Sequence, residues 1–65
     1  MLDCKTLVLT ERKKCGLSQA GLAKSVGVTQ QHINDIEHGR TTPSLDLLER
    51  LCSVFDLELI IQPKK

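Results

Sequence analysis

Tryptophan and tyrosine are missing from this sequence, and phenylalanine occurs once, at position 55. An enzyme needs a nucleophile, a base and a pocket in register. With so few aromatic walls, and with neither histidine spaced to partner a cysteine or serine, nothing assembles that constellation, and the chain is not expected to be an enzyme. Long apolar runs are lacking as well: Leu7-Val8-Leu9 and Leu59-Ile60-Ile61 are among the longest. Neither a membrane span nor a signal peptide is therefore expected, and the protein is expected in the cytoplasm. Cysteine is too sparse for a disulfide framework. Cys4, Cys15 and Cys52 are odd in number, lack close metal-ligand spacing and fall where a small apolar residue suits a helix, so they read as reduced core or boundary thiols. His32 and His38 lie six apart, off one helical face, and read as surface histidines rather than metal ligands or a pH switch. No cofactor, metal or small-molecule ligand is implied.

At 65 residues the chain makes one domain, which buries only about 60% of the surface its unfolded form exposes. No room remains for a large cleft. The net charge of +1 neither demands nor excludes a polyanionic partner, but the charges are unevenly placed. Basic residues gather at Arg12-Lys13-Lys14, Lys24, Arg40 and the Lys64-Lys65 end, whereas the acids Asp46, Glu49, Asp56 and Glu58 concentrate after residue 41.

Along the chain, Cys4, Val8 and Cys15 recur near helical spacing and Gly16 stands where a helix ends, which predicts a first helix over residues 3–15. The β-branched stretch at residues 6–10 also suits a strand, but charged residues continue the helical pattern without a break. Ser18 caps a second, short helix with Leu22, Ala23 and Val26 as its stripe, followed by Gly27. Thr29 caps a third, with Ile33 and Ile36 inward and Gly39 after it. Ser44 caps a fourth, whose apolar face is read as Leu45, Leu48, Leu51, Cys52 and Phe55. Residues 57–62 alternate until Ile60 and stop at Pro63, which reads as one strand. The reading divides the chain into a body, 1–56, and a tail, 57–65.

Two short helices joined by a tight turn through Gly27 form a helix-turn-helix pattern, whose second helix lies in the DNA major groove with its N-terminal side chains at base edges. Gln30, Gln31 and Asn34 occupy the open side of that helix. Their amides carry a donor and an acceptor side by side, which match adenine N6 and N7. The segments Gly16-Leu17-Ser18-Gln19, Leu22-Ala23, Val26-Gly27-Val28-Thr29-Gln30-Gln31, Ile36-Glu37-His38-Gly39-Arg40 and Pro43-Ser44-Leu45, with Ile33 between, resemble the Cro/phage-repressor-like (XRE-type) helix-turn-helix family over residues 10–55.

The resemblance implies an all-α, four-helix lambda-repressor-like domain. It implies that Gln30, Gln31 and Asn34 read bases, and that Gln19, assisted by its backbone N–H, with Thr29, Arg40 and Thr41, contacts phosphates. It further implies a structural salt bridge between Arg12 and Glu37, leaving the other basic residues at 13 and 14 either solvated or in minor phosphate contact. Two features depart from the pattern. Gly21 stands where many relatives carry a capping-box glutamate, so the second helix is expected to be locally weak. Asp35 places an acid in the reading helix, where it repels phosphate unless it faces a cytosine N4 amine or turns away from DNA.

A lone strand is marginal by itself. Two tails pairing across a twofold axis would bury Leu57, Leu59, Ile60 and Ile61 and set two reading helices about 34 Å apart for a palindromic operator. The body-plus-strand arrangement is similar to the HipB-like antitoxins, which implies an autoregulating repressor with a HipA-like kinase toxin as partner; a phage Cro-type regulator has the same outline. The competing class is a protein-interaction module without significant DNA binding, favoured by Asp35, Glu37 and the modest net charge.

Overall fold

The computed structural model of the chain describes residues 3–59. They form four helices and, among the described residues, no strand: α1 (Cys4–Lys14), α2 (Gln19–Val26), α3 (Gln30–Glu37) and α4 (Leu45–Val54). The all-α helix-turn-helix domain expected from the sequence is the fold observed.

Each helix starts on a side chain that replaces a missing backbone partner. Asp3 Oδ1 accepts from Thr6 N at 2.8 Å, Ser18 Oγ from Gly21 N at 2.9 Å, Thr29 Oγ1 from His32 N at 3.1 Å and Ser44 Oγ from Leu47 N at 3.1 Å. Such caps contribute about 1 kcal/mol each, which matters in a domain of this size. The α2 cap forms without the capping-box glutamate, through the Ser18 hydroxyl alone.

The helix ends are equally specific. After α3, Gly39 N bonds Ile36 O and Arg40 N bonds Asp35 O, a paired closure that requires the left-handed conformation found at Gly39 (φ 73°). The same closure ends α4, but there the left-handed residue is Asp56, φ 58°. Leu57 N is consumed by that closure, donating to Cys52 O at 2.8 Å. The helical cap therefore reaches into the segment read as a strand. Residues 57–59 carry no regular structure, and the rest of that segment, with Ile60 and Ile61, lies outside the described residues.

α3 packs against both α1 and α2, and α2 against α4. The core they enclose consists of Val8, Leu22, Ala23, Val26, Ile33, Ile36, Leu47, Leu51 and Phe55, with Leu17, Val28 and Val54 at its margin. At about 1.5–3 kcal/mol for each large apolar side chain, burial of this set is the main force holding the helices together.

Two apolar assignments need correction. Leu45, read as a core position, is 53% exposed and Leu48 only half-buried, while Leu47 is buried. Leu51, Cys52 and Phe55 are buried as read from the sequence, but in the first turn Leu47 takes the inward place read for Leu45 and Leu48. Cys15 is the C-cap residue of α1 and is exposed, unlike half-buried Cys4 and buried Cys52; all three thiols are free. Burial, with the neighbouring Cys4, pushes the Cys52 thiol up, away from the reactive thiolate.

Candidate nucleic-acid interface

α3 has two faces with different jobs. Ile33 and Ile36 are at most 1% exposed and anchor it to the core. On the open side, Gln30 and Gln31 are exposed, and Asn34 and Asp35 are half-buried. Gln19, the first residue of α2, stands across from them. Gln19, Gln30, Gln31 and Asn34 together line a shallow depression of about 290 Å³. The three amides assigned to bases and the glutamine assigned to phosphate thus meet in one place.

Behind the depression lies an ion pair. Arg12 Nε donates to Glu37 Oε2 at 2.6 Å and Arg12 Nη2 to Glu37 Oε1 at 3.1 Å, a two-pronged contact with side chains 12% and 3% exposed. Arg12 Nη1 also donates to Leu17 O at 2.8 Å, so the guanidinium joins α1 and the start of the α2–α3 unit to the end of α3. Burial alone would push the Glu37 carboxyl up. The hydrogen bonds from Arg12 and Gln19, with the charges of Arg12 and His38, outweigh it and hold the group below its ordinary value of 4.5.

From Glu37 a chain of hydrogen bonds runs outward. Gln19 Nε2 donates to Glu37 Oε1 at 3.1 Å, and because an ionised carboxylate only accepts, the Gln19 amide has one permitted orientation. Its Oε1 is thereby turned toward Asn34, whose Nδ2 donates to it at 3.4 Å. Asn34 Oδ1 accepts from Arg40 Nη1 at 3.1 Å, and the same Nη1 donates to Asp35 Oδ1 at 3.3 Å. Gln31 Nε2 donates to that oxygen too, at 2.9 Å. Every buried side-chain polar atom among the described residues has a partner.

The remaining assigned residues divide. Thr29 serves as the N-cap of α3, its oxygen accepting from His32 N, which leaves the hydroxyl proton free to donate outward. Arg40, 60% exposed at the side chain, joins the amides through Asn34. Thr41 lies apart from the depression: it lines a second one, of about 480 Å³, with Asp3, Cys4, Lys5, Ile36, Gly39 and Thr42. Leu57 is 39% exposed and Leu59 half-buried.

Sequence reasoning left Asp35 without a partner. One of its two was visible as the helical spacing of four from Gln31. The other, Arg40, comes into reach only through the turn at Gly39, which no local pattern displays. The contact of Gln19 with Asn34 crosses from α2 to α3 and had no signal in the sequence.

Comparison with known proteins identifies the same helix-turn-helix class. A helix-turn-helix family model (HTH_3) matches residues 8–61. The chain is 45% identical over 56 residues to an uncharacterised HTH-type transcriptional regulator of Methanothermobacter thermautotrophicus, covering 86% of this chain and 81% of that one. It is 37% identical over 62 residues to the ImmF control region 10 kDa protein of Bacillus phage phi105, with 91% and 69% covered. Against the HTH-type transcriptional regulator YgzD of Bacillus subtilis the identity is 38% over 55 residues, with 85% and 83% covered.

Proposed function

The chain belongs to the helix-turn-helix family, and from that premise we propose that it is a sequence-specific DNA-binding transcription regulator that represses by occupying an operator as a homodimer. The observation that carries this reading is the shared depression of Gln19, Gln30, Gln31 and Asn34 at the open side of α3. A helix N-terminal turn bearing amides fits the major groove, where they would meet base edges, with Gln19, Thr29 and Arg40 beside them as the proposed phosphate contacts. Thr41 would reach the backbone from the loop beyond Gly39. One copy reads few base pairs, so a palindromic operator read by two copies is the arrangement that gives useful specificity. Leu57 and Leu59, with Ile60 and Ile61, are the residues for that contact between copies.

Two biological settings share this mechanism. A phage-type regulator is favoured by the relative from phage phi105, whose name places it in the ImmF control region. An antitoxin that also binds a HipA-like kinase is the alternative, resting on the tail.

Binding to a generic duplex, followed as salt is raised, tests the reading. Several phosphate contacts give a steep linear fall of log K against log salt, with a slope smaller by about one when Arg40 is replaced by alanine. A protein-interaction module would give no binding and no slope.

A further inference from the structure

Asp35 is the one acid on the open side of α3, where it should weaken contact with a polyanion, yet it is held in place by two neighbours rather than turned away. Gln31 Nε2 and Arg40 Nη1 both donate to its Oδ1, at 2.9 and 3.3 Å, and its side chain remains 30% exposed. Arg40 offsets the charge. The bond from Gln31 has a further effect, because glutamine is a two-ended group: one end donates and the other accepts, and in solution the amide presents either. A carboxylate takes only the donor end, so with Asp35 beside it Gln31 has one orientation, Nε2 held toward Asp35 and Oε1 on the opposite side.

Resting on the DNA-binding reading above, we infer that Asp35 sets base choice by polarising Gln31, so that the acceptor oxygen faces the groove and selects a base edge bearing an exocyclic amine, adenine N6 or cytosine N4, over one bearing a keto oxygen, guanine O6 or thymine O4. An unconstrained glutamine tolerates both, since it turns its NH₂ to a keto oxygen and its carbonyl to an amine. Asp35 disfavours the first option, because it holds Nε2 and one of its two N–H groups to the carboxylate. Its carboxylate adds to the effect by standing near the same base edge and repelling a keto oxygen on its own account. An acid in a reading helix thus trades some general affinity for discrimination.

The test uses the full chain and a randomised duplex, from which wild-type protein recovers its preferred sequence. The Gln31 position is the one whose preference flattens in Gln31→Ala. There, wild type should favour adenine or cytosine over guanine or thymine by about tenfold, the weight of one hydrogen-bonded base edge. Asp35→Ala and the isosteric Asp35→Asn, which can donate as well as accept, should bring this ratio to within about twofold, with affinity for random duplex unchanged or raised. Placed in the Gln31→Ala background, Asp35→Asn should change the ratio no further.

A wild-type preference for keto bases at that position overturns the inference. So does an amine preference that survives both Asp35 substitutions, even when every duplex binds more tightly through loss of the charge. Recovery of no preferred sequence by wild type would overturn the DNA reading itself and the role of Asp35 with it, an outcome distinct from the other two.

Discussion

The inner and outer faces of α3 differ in what holds their side chains still. On the inner face Ile33 and Ile36 are fixed by packing, with no polar atom to satisfy. On the outer face Gln31, Asn34 and Asp35 are fixed by hydrogen bonds, a series that begins at the Arg12–Glu37 pair and reaches the surface through Gln19 and Arg40. Packing supplies stability that is indifferent to direction. Hydrogen bonds to acceptor-only carboxylates supply direction, and at partly exposed Asp35, unlike buried Glu37, they add little stability. A reading helix needs both, since an amide that reads bases must be displayed and also aimed.

The faces can be separated by substitution, and the largest effect belongs inside. Ile33→Ala should cost about 2–5 kcal/mol through lost transfer energy and the cavity left behind, comparable with the whole stability of a domain this small. Urea unfolding measures it. A loss within error would mean that α3 is not anchored as described.

Glu37→Ala comes next, at about 3 kcal/mol, because Arg12 would be left half-buried without its partner. The same pair sets a pH dependence. The folded-state pKa of Glu37 lies below its ordinary value of 4.5, so its contribution is fully present above that pH and is lost as pH falls through the lower folded value. Thermal unfolding from pH 7 to 3 should show a decline below about pH 4.5 that Glu37→Gln reduces in slope. Equal slopes in both proteins would remove this carboxylate from the account.

On the outer face the balance reverses. Gln31→Ala should leave stability within about 0.5 kcal/mol while weakening binding to the preferred duplex by about 1–3 kcal/mol and to random duplex hardly at all. Equal losses on both would make Gln31 a phosphate contact. Gln19→Ala should weaken all duplexes by about 1 kcal/mol through the lost phosphate contact, with a further, smaller loss on the preferred duplex because Asn34 loses a bond that orients it. The smallest effect lies away from α3: Asp56→Gly should stabilise the domain by about 0.5 kcal/mol, because glycine adopts the left-handed closure of α4 without a Cβ penalty. Calorimetry would detect the corresponding rise in Tm.

The fold was largely legible because its punctuation is local. Asp3, Ser18, Thr29 and Ser44 stand at helix starts and glycines at three of the four ends, signals that depend on a few neighbouring residues. In α4, Leu51, Cys52 and Phe55 were legible as the buried face, but the first turn was not. Leu45, Leu47 and Leu48 are equally apolar, and only contact with the other helices decides which of them is buried. The end of α4 was hidden for a related reason, since an aspartate rather than a glycine takes the left-handed position. Within the interface, the amides were readable from their place on a capped helix, whereas the bonds that orient them link residues 15 or 25 apart in sequence and exist only once three helices have met.

The DNA-binding proposal requires the open side of α3 to enter the duplex. Side-chain NH₂ resonances of Gln19, Gln30, Gln31 and Asn34, followed by nitrogen–proton correlation NMR as duplex is added, report on it directly. These four should move together and become protected from solvent exchange, while the backbone signals of Asp46 and Glu49 on α4 stay where they were. Stationary glutamine and asparagine signals, with the shifts concentrated on α4 or around Cys4 and Thr42, would contradict the proposal.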